Sequence, residues 1–290
     1  MSDNEFTDRI NQAINYIYNN LDRNLTVEEI ADHCCFSRFY FSRMFKAMVG
    51  DGLYAFIKRK KLERAAFLLR TRENMPVTDI ALQIGSSPSN FASAFKEYYG
   101  VSATEYRRIK IKDTSEANTP INEHIQSLKS GKESFGLVDS KITIRRIERM
   151  NLLYDRFVGN YFNLKDFWSG FCERSEARGL IRSDTKFIGI SYDDPLVADE
   201  NKCIYDVCIS VENISGPDVH KTEEGFYACY RFNDRLVNLG KAYNELFTSW
   251  IPYCRYMVGD RMPLEIYHSA PDENGMTCLD ICIPIDNFQD

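Results

Sequence analysis

Residues Leu53 to Leu69, LYAFIKRKKLERAAFLL, contain neither glycine nor proline and read as one helix. At about 100° per residue, Leu53, Phe56 and Ile57 share one face, and Leu62, Ala65, Ala66 and Leu69 lie about 180° away. A helix resting on one core keeps one apolar stripe. A stripe that changes sides around a basic middle (Lys58, Arg59, Lys60, Lys61, Arg64) describes a rod joining two small cores. The chain on either side should then supply one small helical unit to each end.

It does so by repetition. Shifted by 50 positions, Val27, Ile30, Ala31, Ser37, Phe41, Phe45, Lys46 and Gly50 meet Val77, Ile80, Ala81, Ser87, Phe91, Phe95, Lys96 and Gly100. Each copy has a short helix, a turn, a serine at an N-cap position and a helix closed by glycine, the layout of a helix-turn-helix. Thr26 with Glu29, and Ser102 with Glu105, have capping-box spacing, and Pro88 follows Ser87 at a first helical position.

The second helix of each copy carries two stripes. Phe41, Met44, Phe45 and Met48, and in the second copy Phe91, Ala94, Phe95 and Tyr98, should face the core. Phe39, Ser42, Arg43 and Lys46 form the other stripe, matched by Ser89, Ala92, Ser93 and Lys96. With Arg38 and Pro88 these are the candidate DNA-binding residues. Arg38 and Arg43 suit bidentate contacts to guanine edges, Phe39 a thymine methyl, and Lys46 a phosphate. A plain solvated helix face would carry similar charges.

Composition agrees with this division. Residues 1–112 hold 17 Lys+Arg against 13 Asp+Glu, whereas the remainder holds 19 against 29, within a whole-chain net charge of −6. Nine cysteines, an odd count without CxxC spacing, indicate reduced thiols rather than a disulfide framework or a metal site. No run is long enough to span a membrane, and MSDNEFTDRI lacks the layout of a signal peptide, so a cytoplasmic protein is expected. Neither a cofactor nor a metal is expected.

Residues 7–110 resemble the AraC/XylS family of transcriptional regulators. TVEEIADHCCFSRFYFSRMFKAMVG, LYAFIKRKKLERAAFLL and VTDIALQIGSSPSNFASAFKEYYGVSATEYRR follow the family pattern in order. The resemblance implies a seven-helix, bacterial DNA-binding domain whose recognition helices enter successive major grooves of promoter DNA, and activation through RNA polymerase. Many members carry arginine where Ser93 stands, which implies that the second module contributes phosphate and shape contacts more than base reading.

Residues 113–139, rich in Ser, Thr, Asn and Gly, read as a linker, with a short helix expected from Thr119-Pro120 through Ile121, Ile125 and Leu128. From residue 140 the period becomes that of strands, and a second duplication appears. FIGISYDDP recurs as PLEIYHSAP and YDVCISV as LDICIPI. Two strand-strand-helix-strand-strand units should pack side by side as an α+β domain over 140–290, with a cleft at their junction. The whole chain is then multidomain: an all-α double helix-turn-helix domain over 1–112, the linker, and the duplicated α+β domain.

Aligning the units on Pro195 and Pro271 sets Glu265 against Gly189, a carboxylate where the other half has no side chain. Tyr267 follows on the same side, and Trp250, Tyr230, Trp168 and Tyr192 are expected nearby. An acid among aromatic faces suits an organic cation. The same Glu could instead be held structurally by tyrosine hydroxyls and backbone amides. IGISYDDP, YDVCISV and WIPYCRYMVGDRMPLEIY resemble the GyrI-like effector-binding domain, fused to AraC-type domains in Rob-like regulators. That resemblance implies that Glu265 lies in a ligand cleft, with Trp250 matching a recurring Trp before it, and a small hydrophobic effector, with a cation among the candidates. Because no nucleophile-base pair is readable, the chain is expected not to be an enzyme. A GyrI-like hydrolase and a protein-interaction module are the alternatives.

Overall fold

The computed structural model describes residues 3–34, 38–72, 74–108, 131–160, 163–193 and 202–288. The chain divides into two compact units between Lys129 and Ser130. Unit one runs α1 (Asp3–Tyr18), α2 (Val27–His33), α3 (Arg38–Val49), α4 (Leu53–Thr71), α5 (Val77–Gln83), α6 (Pro88–Tyr99) and α7 (Ala103–Arg108).

Helix α4 divides its apolar residues as its two stripes require. Leu53, Phe56 and Ile57 are buried beside α3, with the Phe45 and Phe56 rings 5.3 Å apart and nearly perpendicular. Leu62, Ala65, Ala66 and Leu69 pack with Ile80, Ala81, Ile84, Phe91 and Phe95 in a second core. Its basic middle is committed to internal contacts. Arg59 bonds Asp51 and Glu63, Lys60 bonds Glu63, and Lys58 bonds Glu97 of α6. Lys61 Nζ donates to the Arg23 carbonyl at 2.8 Å and the Gly85 carbonyl at 3.5 Å, tying the α1–α2 turn to the turn of the second module. Gly85 (φ +60°) permits that approach, since a Cβ there would lie 2.6 Å from Arg23 Cα.

The caps and core stripes follow the sequence with two differences. Ser87 Oγ accepts from Asn90 N at 3.3 Å, and Ser102 and Glu105 bond reciprocally. Thr26 Oγ1 accepts from Glu29 N at 3.2 Å, but the Glu29 carboxylate turns to Tyr16 and Arg23 instead of closing the box. Tyr98 is 40% exposed rather than core. One position on, Tyr99 packs in its place, 4.5 Å from the Phe95 ring. Ser37 and the expected 119–128 helix lie outside the described residues.

Unit two begins earlier than its linker-like composition suggests. Residues 131–139 form helix α8 (Gly131–Asp139), with Val138 3% exposed. There follow β1 (Ile142–Ile147), β2 (Asn151–Gly159), α9 (Leu164–Ala177), β3 (Phe187–Ser191), β4 (Cys203–Val211), β5 (Val219–Lys221), β6 (Gly225–Arg235) and α10 (Leu239–Glu245). Helix α10 runs on through a π-turn at Leu246–Trp250, and β7 (Tyr256–Val258), β8 (Leu264–Tyr267) and β9 (Met276–Phe288) complete the unit.

The sheet order is β1-β6-β9-β8-β3-β4-β2-β5, with β7 on β9, and the pairings are antiparallel. The duplication is present, but the units do not simply lie side by side. The first strand of each crosses to the other half, β1 onto β6 and β5 onto β2. Only residues 148–150 join β1 at one end of the sheet to β2 near the other, a span of at most about 14 Å. The sheet must therefore curl. Leu152 and Tyr154 of β2 accordingly share one core cluster with Tyr227 and Cys229 of β6. At this seam Met150 and Thr222 exchange hydrogen bonds, Met150 N to Thr222 Oγ1 at 2.8 Å and Thr222 N to Met150 O at 2.9 Å. Among the described residues, no helix is long and apolar enough to cross a membrane.

Candidate effector site and nucleic-acid interface

On the recognition helices, Phe41, Phe45, Phe91 and Phe95 turn inward. Arg43 and Lys46 of α3 are exposed, and Ser42 is half-buried. Arg38 and Phe39 stand in the first turn of α3, and their side chains lie outside the described residues. Pro88, Ser89, Ala92, Ser93 and Lys96 of α6 are all exposed. Each helix thus has a polar face that its own core does not use. The two faces differ, since α3 offers Arg43 and Lys46 where α6 offers Ser93 and Lys96.

In unit two, Glu265 and Gly189 are Cα partners across β8 and β3. The offset that aligns the duplicated halves also maps Gly189 onto Glu265, so the pseudo-twofold axis of the domain passes through this pair. Glu265 is 2% exposed and accepts three phenolic hydrogen bonds: Tyr205 to Oε2 at 2.6 Å, Tyr267 to Oε2 at 3.0 Å and Tyr243 to Oε1 at 2.6 Å. Gly189 makes room for them, because a Cβ there would stand 1.7 Å from the Tyr205 hydroxyl. Burial, reinforced by the neighbouring Glu265 charge, pushes the Tyr205 and Tyr267 hydroxyls well above the ordinary phenol value, so they remain donors. The Trp168 ring meets Tyr267 edge-on at 5.5 Å, and its buried Nε1–H has no hydrogen-bond partner among the described residues.

Of the six expected effector residues, the structure brings together Glu265, Tyr267 and Trp168. Trp250 is elsewhere: it is 1% exposed, its Nε1 donates to Asp139 Oδ1 at 2.8 Å and its ring stacks on Tyr256, because α8 covers it. Tyr230 lies two strands away on β6, bonded to Lys141 and Glu245, where it lines a polar cavity of about 560 Å³. Tyr192 belongs to a cluster around Asp206 and donates to its Oδ2 at 2.9 Å. Tyr205 and Tyr243 escaped the sequence reading. Tyr243 could have been found by the duplication, since it matches Trp168 at an offset of 75.

The Asp206 cluster is itself duplicated. Arg156 grips Asp206 through two bonds of 2.7 Å, joined by His220 at 2.7 Å and by Tyr192. At Asp280 the corresponding partners are Arg231, Arg145 and His268. Burial alone would raise both carboxyls, but the arginines and histidines hold them below the ordinary value. Because His268 is engaged here, it faces away from Glu265 as strand alternation requires. Among the described residues no group of three His, Cys, Asp or Glu could hold a metal.

Comparison with known proteins adds the following. A GyrI-like small molecule binding domain model matches residues 140–286, and a helix-turn-helix domain model matches residues 30–109. The HTH-type transcriptional activator AarP of Providencia stuartii is 35% identical over 99 residues, 34% of this chain and 73% of that one. The transposon Tn10 TetD protein of Escherichia coli is 32% identical over 103 residues, 35% of this chain and 74% of that one. Among solved structures, the C-terminal domain of EcmrR aligns at 15% identity and a TM-score of 0.41, covering 50% of this chain and 97% of that one.

Proposed function

The chain belongs to the GyrI-like small-molecule-binding family and carries an AraC-type helix-turn-helix region, and on that footing we propose that it activates transcription in response to a small apolar cation bound at Glu265. The observation that supports the ligand class is a carboxylate, 2% exposed, whose bonded partners are three neutral hydroxyls. Hydroxyls satisfy lone pairs without supplying a counter-charge, and a buried carboxylate left uncompensated is costly. A cation among Trp168, Tyr205, Tyr243 and Tyr267 would gain both the charge and the ring faces. A ligand acceptor aimed at Trp168 Nε1 would engage its buried donor.

Regulation follows by population shift, since a ligand acts only through its preference for one conformation of the protein. RNA polymerase is the partner that activation requires. In this reading the site binds without turnover. The test is calorimetric titration with an aryl quaternary ammonium and its uncharged carbon isostere. Glu265→Gln should weaken the cation by about tenfold or more, which is about 1.4 kcal/mol, and leave the isostere nearly unchanged. Equal affinities of wild type and variant for the cation would return Glu265 to a structural role, and turnover of either compound would overturn the binder reading.

A further inference from the structure

Behind Glu265, on the concave face of the curled sheet, Cys229 of β6 and Cys282 of β9 are Cα partners, 2% and 0% exposed. The Arg231 amide donates to the Lys141 carbonyl on the β1 side, so odd residues of β6 turn their backbone groups toward β1 and even ones toward β9. Cys229 and Cys282 are therefore a non-hydrogen-bonded pair, the closer of the two antiparallel arrangements, with Cα atoms about 4.5 Å apart. A disulfide accepts Cα separations of about 4.4–6.8 Å. Both side chains enter the same core cluster.

Arg145 of β1 lies on the same face, paired with Asp280, and its buried Nε–H has no hydrogen-bond partner among the described residues. The neighbouring Cys282 thiol, and then the Arg145 guanidinium, hold the Cys229 thiol below its ordinary value against burial. The neighbouring Cys229 thiol and burial push Cys282 up. Of the two thiols, Cys229 is thus the more acidic and the more readily deprotonated.

We propose that Cys229 and Cys282 form an oxidation site that a hydroperoxide converts to a cross-strand disulfide. The Cys229 thiolate attacks the terminal peroxide oxygen, the O–O bond breaks, and Cys229 becomes a sulfenic acid as the leaving oxygen departs protonated. The Cys282 sulfur then attacks Cys229, the S–S bond forms, the S–O bond breaks, and the hydroxyl leaves as water with the Cys282 proton. Two electrons pass from the sulfurs to the peroxide. The bond would lock β6 to β9 beside Leu264, the β8 partner of Cys282 that immediately precedes Glu265. Burial of both sulfurs in this apolar cluster selects a small oxidant.

The test is hydrogen peroxide titration of the full chain, read by thiol count, intact mass and peptide mapping. The expected result is loss of two thiols and two hydrogens, with a single cross-linked peptide joining Cys229 to Cys282. In Cys282→Ser the reaction should stop at a sulfenic acid on Cys229, trapped by dimedone. Peroxide consumed at Cys254 or Cys278 while Cys229 and Cys282 stay reduced would overturn the proposal, and this mapping needs only the wild-type chain.

Discussion

Gly189→Ala should destabilise the second unit by about 3 kcal/mol or more, because the new Cβ would overlap the Tyr205 hydroxyl. Tyr205→Phe in the same chain should recover only part of the loss, since the ring carbon bearing that hydroxyl stands 2.5 Å from the same Cβ. Urea denaturation followed by circular dichroism checks both; an unchanged midpoint for Gly189→Ala would contradict the close approach. Asp206 gives the pH dependence. Its folded pKa is depressed, so its stabilisation is present above the unfolded carboxylate value near about 3.9 and is lost as pH falls through the folded value. Unfolding free energy should therefore hold from pH 7 to about 5 and decline below about 4. Asp206→Asn should lower the neutral plateau by about 3–5 kcal/mol by leaving the buried Arg156 charge without its carboxylate, and should flatten the acid decline. At this scale the sequence revealed the carboxylate but only part of its surroundings. Glu265 and Tyr267 share a strand whose period-2 pattern is clear. Tyr205 lies on β4, buried from Cys203 through Ile209, where alternation no longer tells one face from the other.

Among elements, α4 was the most legible because its stripe changes sides, and no single core can produce that pattern. The two ends should fail separately. Phe56→Ala removes a ring from the first core and Leu69→Ala an aliphatic side chain from the second, at about 3–5 and 2–5 kcal/mol respectively. Amide hydrogen exchange should show α2 and α3 losing protection in the first variant and α5 and α6 in the second; uniform loss in both would deny two cores. The recognition helices were legible as elements, and their inequality is testable. Arg43→Ala should weaken operator binding by about 1–3 kcal/mol in gel shifts at fixed salt, whereas Ser93→Ala should have little effect. Less legible was the exchange of β1 and β5. Local pattern reports that a strand exists but not which long-range partner it takes, and the 148–150 link looks like a hairpin turn although it crosses a seam.

For the whole molecule, the second compact unit starts at Ser130, ahead of the strand pattern that begins at Ile142. A fragment starting at residue 140 should fold less stably than one starting at 130, because it lacks α8 and leaves the Trp250 indole uncovered and without its Asp139 acceptor. Comparing the two by thermal melting and tryptophan emission checks this, with the shorter fragment melting lower and emitting further to the red. Coincident melts would mean that α8 contributes nothing to unit two. The placement of Gly189 and Glu265 on the pseudo-twofold axis carries a different kind of consequence. Two separate, identical half-domains meeting at that axis could present only the same residue twice: two glycines, with no charge to offer, or two carboxylates repelling each other across neighbouring strands. Joining both halves in one polypeptide removes that constraint. It allows one glycine to yield its space to a tyrosine and one glutamate to stand alone, giving the site a single charge and hence a single polarity for whatever lies against it.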